Sequence, residues 1–317
     1  MKYLFLSTFR FFEPEIEAGS SIEIMPGISI TKSVALKRKL LTKEFKRMAG
    51  EIEFSHIKNA TSIIYAEDKN GIFASKSSGS EKALLVWMLW LDMIIYSSWL
   101  VKDNSMLCEI GYCNKVSSTE SSWSNNSLQV FFSTAEGLRF EKTSFSISEL
   151  EDWRDKNHKL QEHLYNNNST MTDSFISSDY SRYGRAYSFI KSARVTIDPA
   201  MKIAHYCSAL ESLFSTDNSE LTYKLSERVS LFMKDFGYDP MDVFSDMKRY
   251  YAIRSAVTHG DSIKGKKLDT IPKASRELDD YLRVIMNRII SSDELMDLFN
   301  GDKSGVNDYF LRKILLD

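Results

Sequence analysis

Between Ala83 and Val101 the chain runs ALLVWMLWLDMIIYSSWLV. An apolar stretch of that length is almost what a bilayer-spanning helix requires. It has two stable fates, hydrocarbon or the centre of a folded core. Asp92 lies near its middle, where a carboxylate is expensive in lipid, and Ser97 and Ser98 follow. The expected element is therefore a buried or interface helix rather than a span; with its cysteines read as reduced thiols, the protein is expected to be cytoplasmic, with no membrane partner. The rest of the chain agrees: 317 residues, 26% of them charged, with 41 Lys and Arg against 43 Asp and Glu for a net charge of −2. That balance excludes a globally basic nucleic-acid coat but leaves room for a local basic cleft. The length suits one large domain or two ordinary ones with a core that needs no disulfides. Cys108, Cys113 and Cys207 match no zinc spacing and are expected as reduced thiols, and the opening MKYLFLSTFRFFEPEIE lacks the features of a secretory signal.

The apolar helix sits in a half of mixed texture. Strands are expected near Tyr3–Phe12, Ser21–Ile30, Thr61–Ala66, Leu107–Val116, Leu128–Ser133 and Leu138–Phe145. Val34–Met48 reads as one basic amphipathic helix, and SSTESSWSNNS reads as a polar loop. From Ser148 the texture becomes helical. Ser148 and Glu151 have capping-box spacing, and helices are expected over 148–165, 177–195, 199–214, 221–236, 240–257, 272–291 and 307–316. Asp198-Pro199 and Asp239-Pro240 each place an N-cap before a proline at the first helical position. The expected fold class is α+β, with a mixed α/β domain over 1–147 and an all-α bundle over 148–317.

Chemistry concentrates in Tyr250-Tyr251-Ala252-Ile253-Arg254-Ser255-Ala256-Val257-Thr258-His259-Gly260. Arg254 and His259, with four residues between them, point about 140° apart around a regular helix. Gly260 is the usual kind of residue just past a helix end. A frayed end there would let His259 turn towards a site that Arg254 reaches. A histidine exchanging protons near neutrality, beside a permanent cation, suits acid–base work on a phosphodiester. A capping His and a surface Arg are the plain alternative. Glu211 lies beside the apolar stripe of Leu210 and Leu213, where a carboxylate needs a cation such as Arg228 or Arg254. The alternative is a surface Glu next to a core stripe.

Three blocks stand in order: Ala209-Leu-Glu-Ser-Leu-Phe214; Leu221-Thr-Tyr-Lys-Leu-Ser-Glu-Arg-Val229; and Tyr251-x-x-Arg254-Ser255-x-x-x-His259-Gly260. Together they resemble the Apea-like HEPN family over roughly residues 175–290. The resemblance implies a helical bundle, commonly dimeric, that acts as a metal-independent endoribonuclease on RNA, tRNA among the candidates, in prokaryotic anti-phage defence or growth arrest. It implies no cofactor. By position, His259 would be the general acid or base, Arg254 would stabilise charge on the scissile phosphate, Ser255 would position phosphate or ribose, and Glu211 would orient Arg254. A phage-derived trigger or an antitoxin partner belongs to the same picture. Ser255 stands where many members carry Asn, Asp or His, and serine cannot act as a base. The alternative, a non-catalytic binding or dimerisation module that recognises a ligand or partner, rests on that departure and on the modest net charge.

Lys264, Lys266 and Lys267, with Lys273, offer a phosphate-attracting rim, and Tyr251 or Tyr250 could stack on a base. A solvated loop and packed tyrosines are the plain alternatives. The helix at Val34–Met48, with Lys37, Arg38, Lys39, Lys43, Lys46 and Arg47, could meet RNA, a membrane or a partner, or could be a solvated face. His158 and His163 are five apart, which does not align two metal ligands, and His205 reads as a core residue.

Overall fold

The computed structural model describes residues 2–68, 80–117, 121–127, 130–165, 181–217, 219–262 and 265–316. It is α+β: an antiparallel sheet in the N-terminal half, then a helical C-terminal region. Contacts divide the chain into two compact units, Met1–Phe132 with Arg139–His158, and Ser133–Leu138 with Lys159–Asp317.

The first unit is built on six strands: β1 (Lys2–Ser7), β3 (Ser21–Met25), β4 (Ile28–Thr31), β5 (Ile63–Asp68), β6 (Ile110–Val116) and β7 (Ser121–Ser127). Their order is β3-β4-β5-β1-β6-β7, and every pairing is antiparallel. Two further strands, β2 (Phe12–Pro14) and β8 (Thr143–Phe145), pair in parallel. In the middle of the large sheet Phe5 lies opposite Ala66 on one side and Cys113 on the other.

Strand alternation sends Tyr3 and Phe5 to one face and Leu6 to the other. The first face packs under α3 (Ser80–Ser98), through Ala83, Trp87, Leu91 and Ile95, and under α4 (Ile147–Leu160), through Leu150 and Trp153. The second face is covered by α1 (Val34–Leu40) and α2 (Lys43–Asn59), through Leu40, Phe45 and Ile57. Both faces of the sheet are thus buried, which is why β1 reads as a nearly continuous apolar run.

The apolar helix is the centre of this core. Trp87 and Leu91 are fully buried, and no helix among the described residues is long and apolar enough to cross a membrane. The two serines after Asp92 close its end. Each donates back to a carbonyl one turn earlier, and Trp153 Nε1 donates to Ser97 Oγ at 2.9 Å. Gly111 lets α3 lie this close to β6, because a Cβ there would collide with Met88 and Trp87.

Several sequence expectations change here. Residues 121–127 of the supposed loop form edge strand β7, paired with β6 along its whole length. An edge strand needs only its backbone and one inward anchor, and Trp123 supplies the anchor, 4.7 Å from the Phe45 ring. Of the strand expected over 128–133, residues 130–133 are not strand, and the one expected from Leu138 shortens to β8. The basic helix is two helices. Thr42 caps the second by accepting from the Phe45 amide, and α2 is itself broken at Gly50.

The second unit contains α5 (Arg182–Val195), α6 (Pro199–Phe214), α7 (Leu221–Lys234), α8 (Pro240–His259), the short α9 (Lys266–Asp269), α10 (Ile271–Ile290), α11 (Asp293–Asn300) and α12 (Lys303–Leu316). α6 packs against α5, α8 and α10, so its Ile203, Tyr206, Leu210, Leu213 and Phe214 are buried on several sides. The Asp-Pro signals work as read: Asp198 accepts from the Met201 amide, and Asp239 from those of Met241 and Asp242. α11 was not anticipated. Its Phe299 joins Phe214 and Phe232 in an aromatic cluster with ring centroids 5.5 to 5.8 Å apart. Ser133–Leu138 joins this unit by hydrogen bonds from Ser133 to the Arg194 carbonyl and from Ser275 to the Ala135 carbonyl.

Candidate active site

The site grows from two capped helices laid side by side. α6 carries Cys207 and Glu211 one turn apart, and α8 carries Tyr251 and Arg254. Their packing brings Arg254 Nη2 to 3.3 Å from Glu211 Oε1. Both side chains are about a fifth to a quarter exposed, but Glu211 Oε1 itself is shut off from solvent and has no aligned hydrogen bond. The attraction to Arg254 is therefore mainly Coulombic, in a setting less screened than the surface. Glu211 thus has the cation that its place beside the core stripe required.

Tyr251 completes the cluster. The Arg254 guanidinium stands 5.1 Å from its ring centroid. Burial first, and then the neighbouring Glu211 carboxylate, push the Tyr251 hydroxyl up to about 12, while Arg254 pulls the other way. Cys207 is fully buried, and burial followed by the Glu211 charge pushes its thiol upwards. Arg254 thus has both a carboxylate and an aromatic face as neighbours, and its side chain as a whole remains partly exposed.

His259 is placed differently. α8 stays helical through His259 and ends at Gly260, which takes the left-handed conformation (φ 76°, ψ 19°) that favours glycine. The Asp261 amide then returns to the Ala256 carbonyl at 2.9 Å, closing the helix. The frayed end expected from the sequence is absent, because this hydrogen-bonded cap keeps the last turn regular. His259 is exposed there and makes no hydrogen bond or ion pair among the described residues. In one chain it lies about 7.5 Å along the axis from Arg254, and about 140° round it. Ser255 is half-buried beside Arg254, and Thr258 donates back to the Arg254 carbonyl at 2.8 Å.

The other sequence candidates fall in several places. Lys264 lies outside the described residues. Lys266 and Lys267 open α9, and their side chains also lie outside them. Lys273 is exposed and 3.6 Å from Glu277. Tyr250 is buried, and its hydroxyl donates to Glu277. Arg228, the other cation considered for Glu211, donates to the Phe214 carbonyl at the end of α6 and to Asn307 of α12. Arg182 meets three carbonyls at that same end, those of Ser212, Leu213 and Ser215. Nothing in the sequence around Arg182 signals this, since its partners lie thirty or more residues away. Among the described residues there is no cluster of His, Cys, Asp and Glu that could hold a metal ion.

The fold and these contacts define a two-unit α+β protein whose helical unit presents a carboxylate-pinned arginine and, at the end of the same helix, an exposed histidine. Comparison of the chain with protein-family models, with curated proteins and with solved structures gives no match.

Proposed function

We propose that the protein is a metal-independent HEPN-type endoribonuclease of the cytoplasm, dimeric through its helical unit, acting on RNA in prokaryotic anti-phage defence or growth arrest. The observation that carries this reading is the Glu211–Arg254 pair, which joins the first and third of the three sequence blocks across α6 and α8. A carboxylate that fixes an arginine while leaving part of it open is suited to stabilising charge on a phosphate.

In this scheme the ribose 2′-hydroxyl attacks the adjacent phosphorus. His259 accepts that proton or protonates the departing 5′ oxygen, and Arg254 offsets the charge on the phosphoryl oxygens. Ser255 donates a hydrogen bond to phosphate or ribose. The products are a 2′,3′-cyclic phosphate and a 5′-hydroxyl. Arg254 and His259 diverge on α8, so the site is assembled from two copies of the motif facing across a shared cleft.

The test is incubation of the purified protein with total RNA or tRNA in excess chelator. Wild type is expected to cleave, and Arg254→Ala and His259→Ala are each expected to lower the rate by about 100-fold or more. Absence of cleavage by wild type, or equal cleavage by His259→Ala, overturns the proposal. The same divergence of Arg254 from His259, with Ser255 between them, favours a second reading: a non-catalytic dimerisation module. That reading requires both alanine variants to keep full activity in cells.

A further inference from the structure

The first unit carries a concentration of positive charge that the nuclease reading does not use. Seven Lys and Arg stand against three Glu between Val34 and Asn59, in a chain whose net charge is −2. α1 and α2 fold this segment over the sheet and leave a pocket of about 390 Å³ lined by Val34, Lys37, Arg38, Leu41, Phe54 and Lys58. Three of these residues are cations, three are apolar, and none is a carboxylate. The size falls within the range of small-molecule sites.

The cations are not equivalent. Lys37 donates to the Ala60 carbonyl at 2.6 Å, which ties α1 to the end of α2 and fixes one wall. Arg38 and Lys58 are exposed and make no hydrogen bond or ion pair among the described residues. The Glu51 carboxylate of α2 does not line the pocket and stands 2.7 Å from Lys46 Nζ. The pocket therefore holds two cations without partners beside an apolar floor of Val34, Leu41 and Phe54.

We propose that this pocket binds the terminal phosphate of a nucleotide, with Arg38 and Lys58 on the phosphate and the apolar floor under the sugar and base. A phosphate monoester carries about 1.5 to 2 negative charges near neutrality, matching two free cations, whereas an internal phosphodiester carries one. Guanidinium and ammonium groups are suited to it, the first by its paired donors and the second as a point charge. Val34 is 53% exposed, so apolar surface is available for the organic part. The nucleotide could be free or could be the 5′-phosphorylated end of a strand.

The test is calorimetric titration of the full chain with AMP, adenosine, inorganic phosphate, and a short oligodeoxynucleotide with and without its 5′-phosphate. The oligodeoxynucleotide has no 2′-hydroxyl and so is not cut by the chemistry proposed above. AMP is expected to bind more tightly than adenosine or inorganic phosphate. The exposed double variant Arg38→Ala/Lys58→Ala should weaken AMP binding at least tenfold. Lys43→Ala/Arg47→Ala removes two cations from α2 that do not line the pocket, and it should leave binding within about twofold. A strand that binds better with its 5′-phosphate than without supports the site and assigns it to strand ends; AMP binding alone assigns it to free nucleotides. The proposal is overturned if adenosine or inorganic phosphate binds as tightly as AMP, if the pocket variant binds like wild type, or if the two double variants lose binding equally.

Discussion

All five tryptophans lie in the sheet unit and none in the helical unit. The sheet unit buries large rings around a single apolar helix, joining segments far apart in the chain: Phe5 stacks on Trp87, Phe12 meets Trp153, and Phe45 meets Trp123. The helical unit combines its apolar core with polar devices at helix ends, such as the caps at Asp198 and Asp239 and the arginines on the last carbonyls of α6. Its candidate site also sits on such helices, with His259 at a terminus and Arg254 a turn and a half before it. The first unit draws on distant packing, and the second adds local caps and longer-range arginine contacts at its helix ends. Tryptophan fluorescence follows the first alone, while far-ultraviolet circular dichroism weights the helices of the second.

The sharpest way to break this comparison is Trp87→Ala. Deleting the ring at the centre of the α3 packing should cost about 3–5 kcal/mol. Urea unfolding should show the loss in the fluorescence transition, with the circular dichroism transition of the helical unit shifted much less. Gly111→Ala comes next, at about 1–3 kcal/mol by overpacking, again in the fluorescence transition. A neutral outcome there would mean that α3 and β6 can move apart without penalty.

In the helical unit the effects should be smaller. Glu211→Ala removes the partner of a half-buried arginine and should cost about 1–2 kcal/mol, discounted for partial solvent screening. If the nuclease reading holds, the same variant lowers RNA cleavage while Arg254→Ala abolishes it. Asp198→Ala should cost about 1 kcal/mol through the lost cap, read from circular dichroism. A cost above that of Trp87→Ala would invert the comparison.

The smallest effect is on pH dependence. Burial, then Arg10, holds His56 below its ordinary value of 6.5, and burial, then Lys202, does the same to His205. The unfolded chain then binds more protons than the folded one just below 6.5, so stability is complete above that pH and falls as the pH drops towards the lowered values. His205→Gln should flatten the acid limb of the circular dichroism transition and leave the fluorescence transition unchanged. An unaltered acid limb would show that burial of His205 does not contribute.

The sequence determined the class and most of the second unit. The Asp-Pro starts and the apolar spacing placed α6 over 199–214, α7 from 221 and α8 from 240, because helix signals act over a few residues. The apolar stretch at Ala83–Val101 required a central helix or a membrane span, and its own Asp92, Ser97 and Ser98 pointed to the former. The pairing of Glu211 with a cation was also legible in kind, since a carboxylate beside a core stripe demands one. Tertiary structure alone decided which cation. Arg228 was drawn to the end of α6, leaving Arg254 for Glu211, and only the packing of α8 on α6 distinguishes them. It alone made a strand of SSWSNNS, because an edge strand is specified by a neighbour's backbone rather than by its own side chains. It alone split the basic helix in two and left Arg38 and Lys58, unpaired among the described residues, over an apolar floor. Periodicity and caps report energies between residues that are close in the chain. Ion-pair choice, edge pairing and pockets depend on distances between residues brought together only by folding.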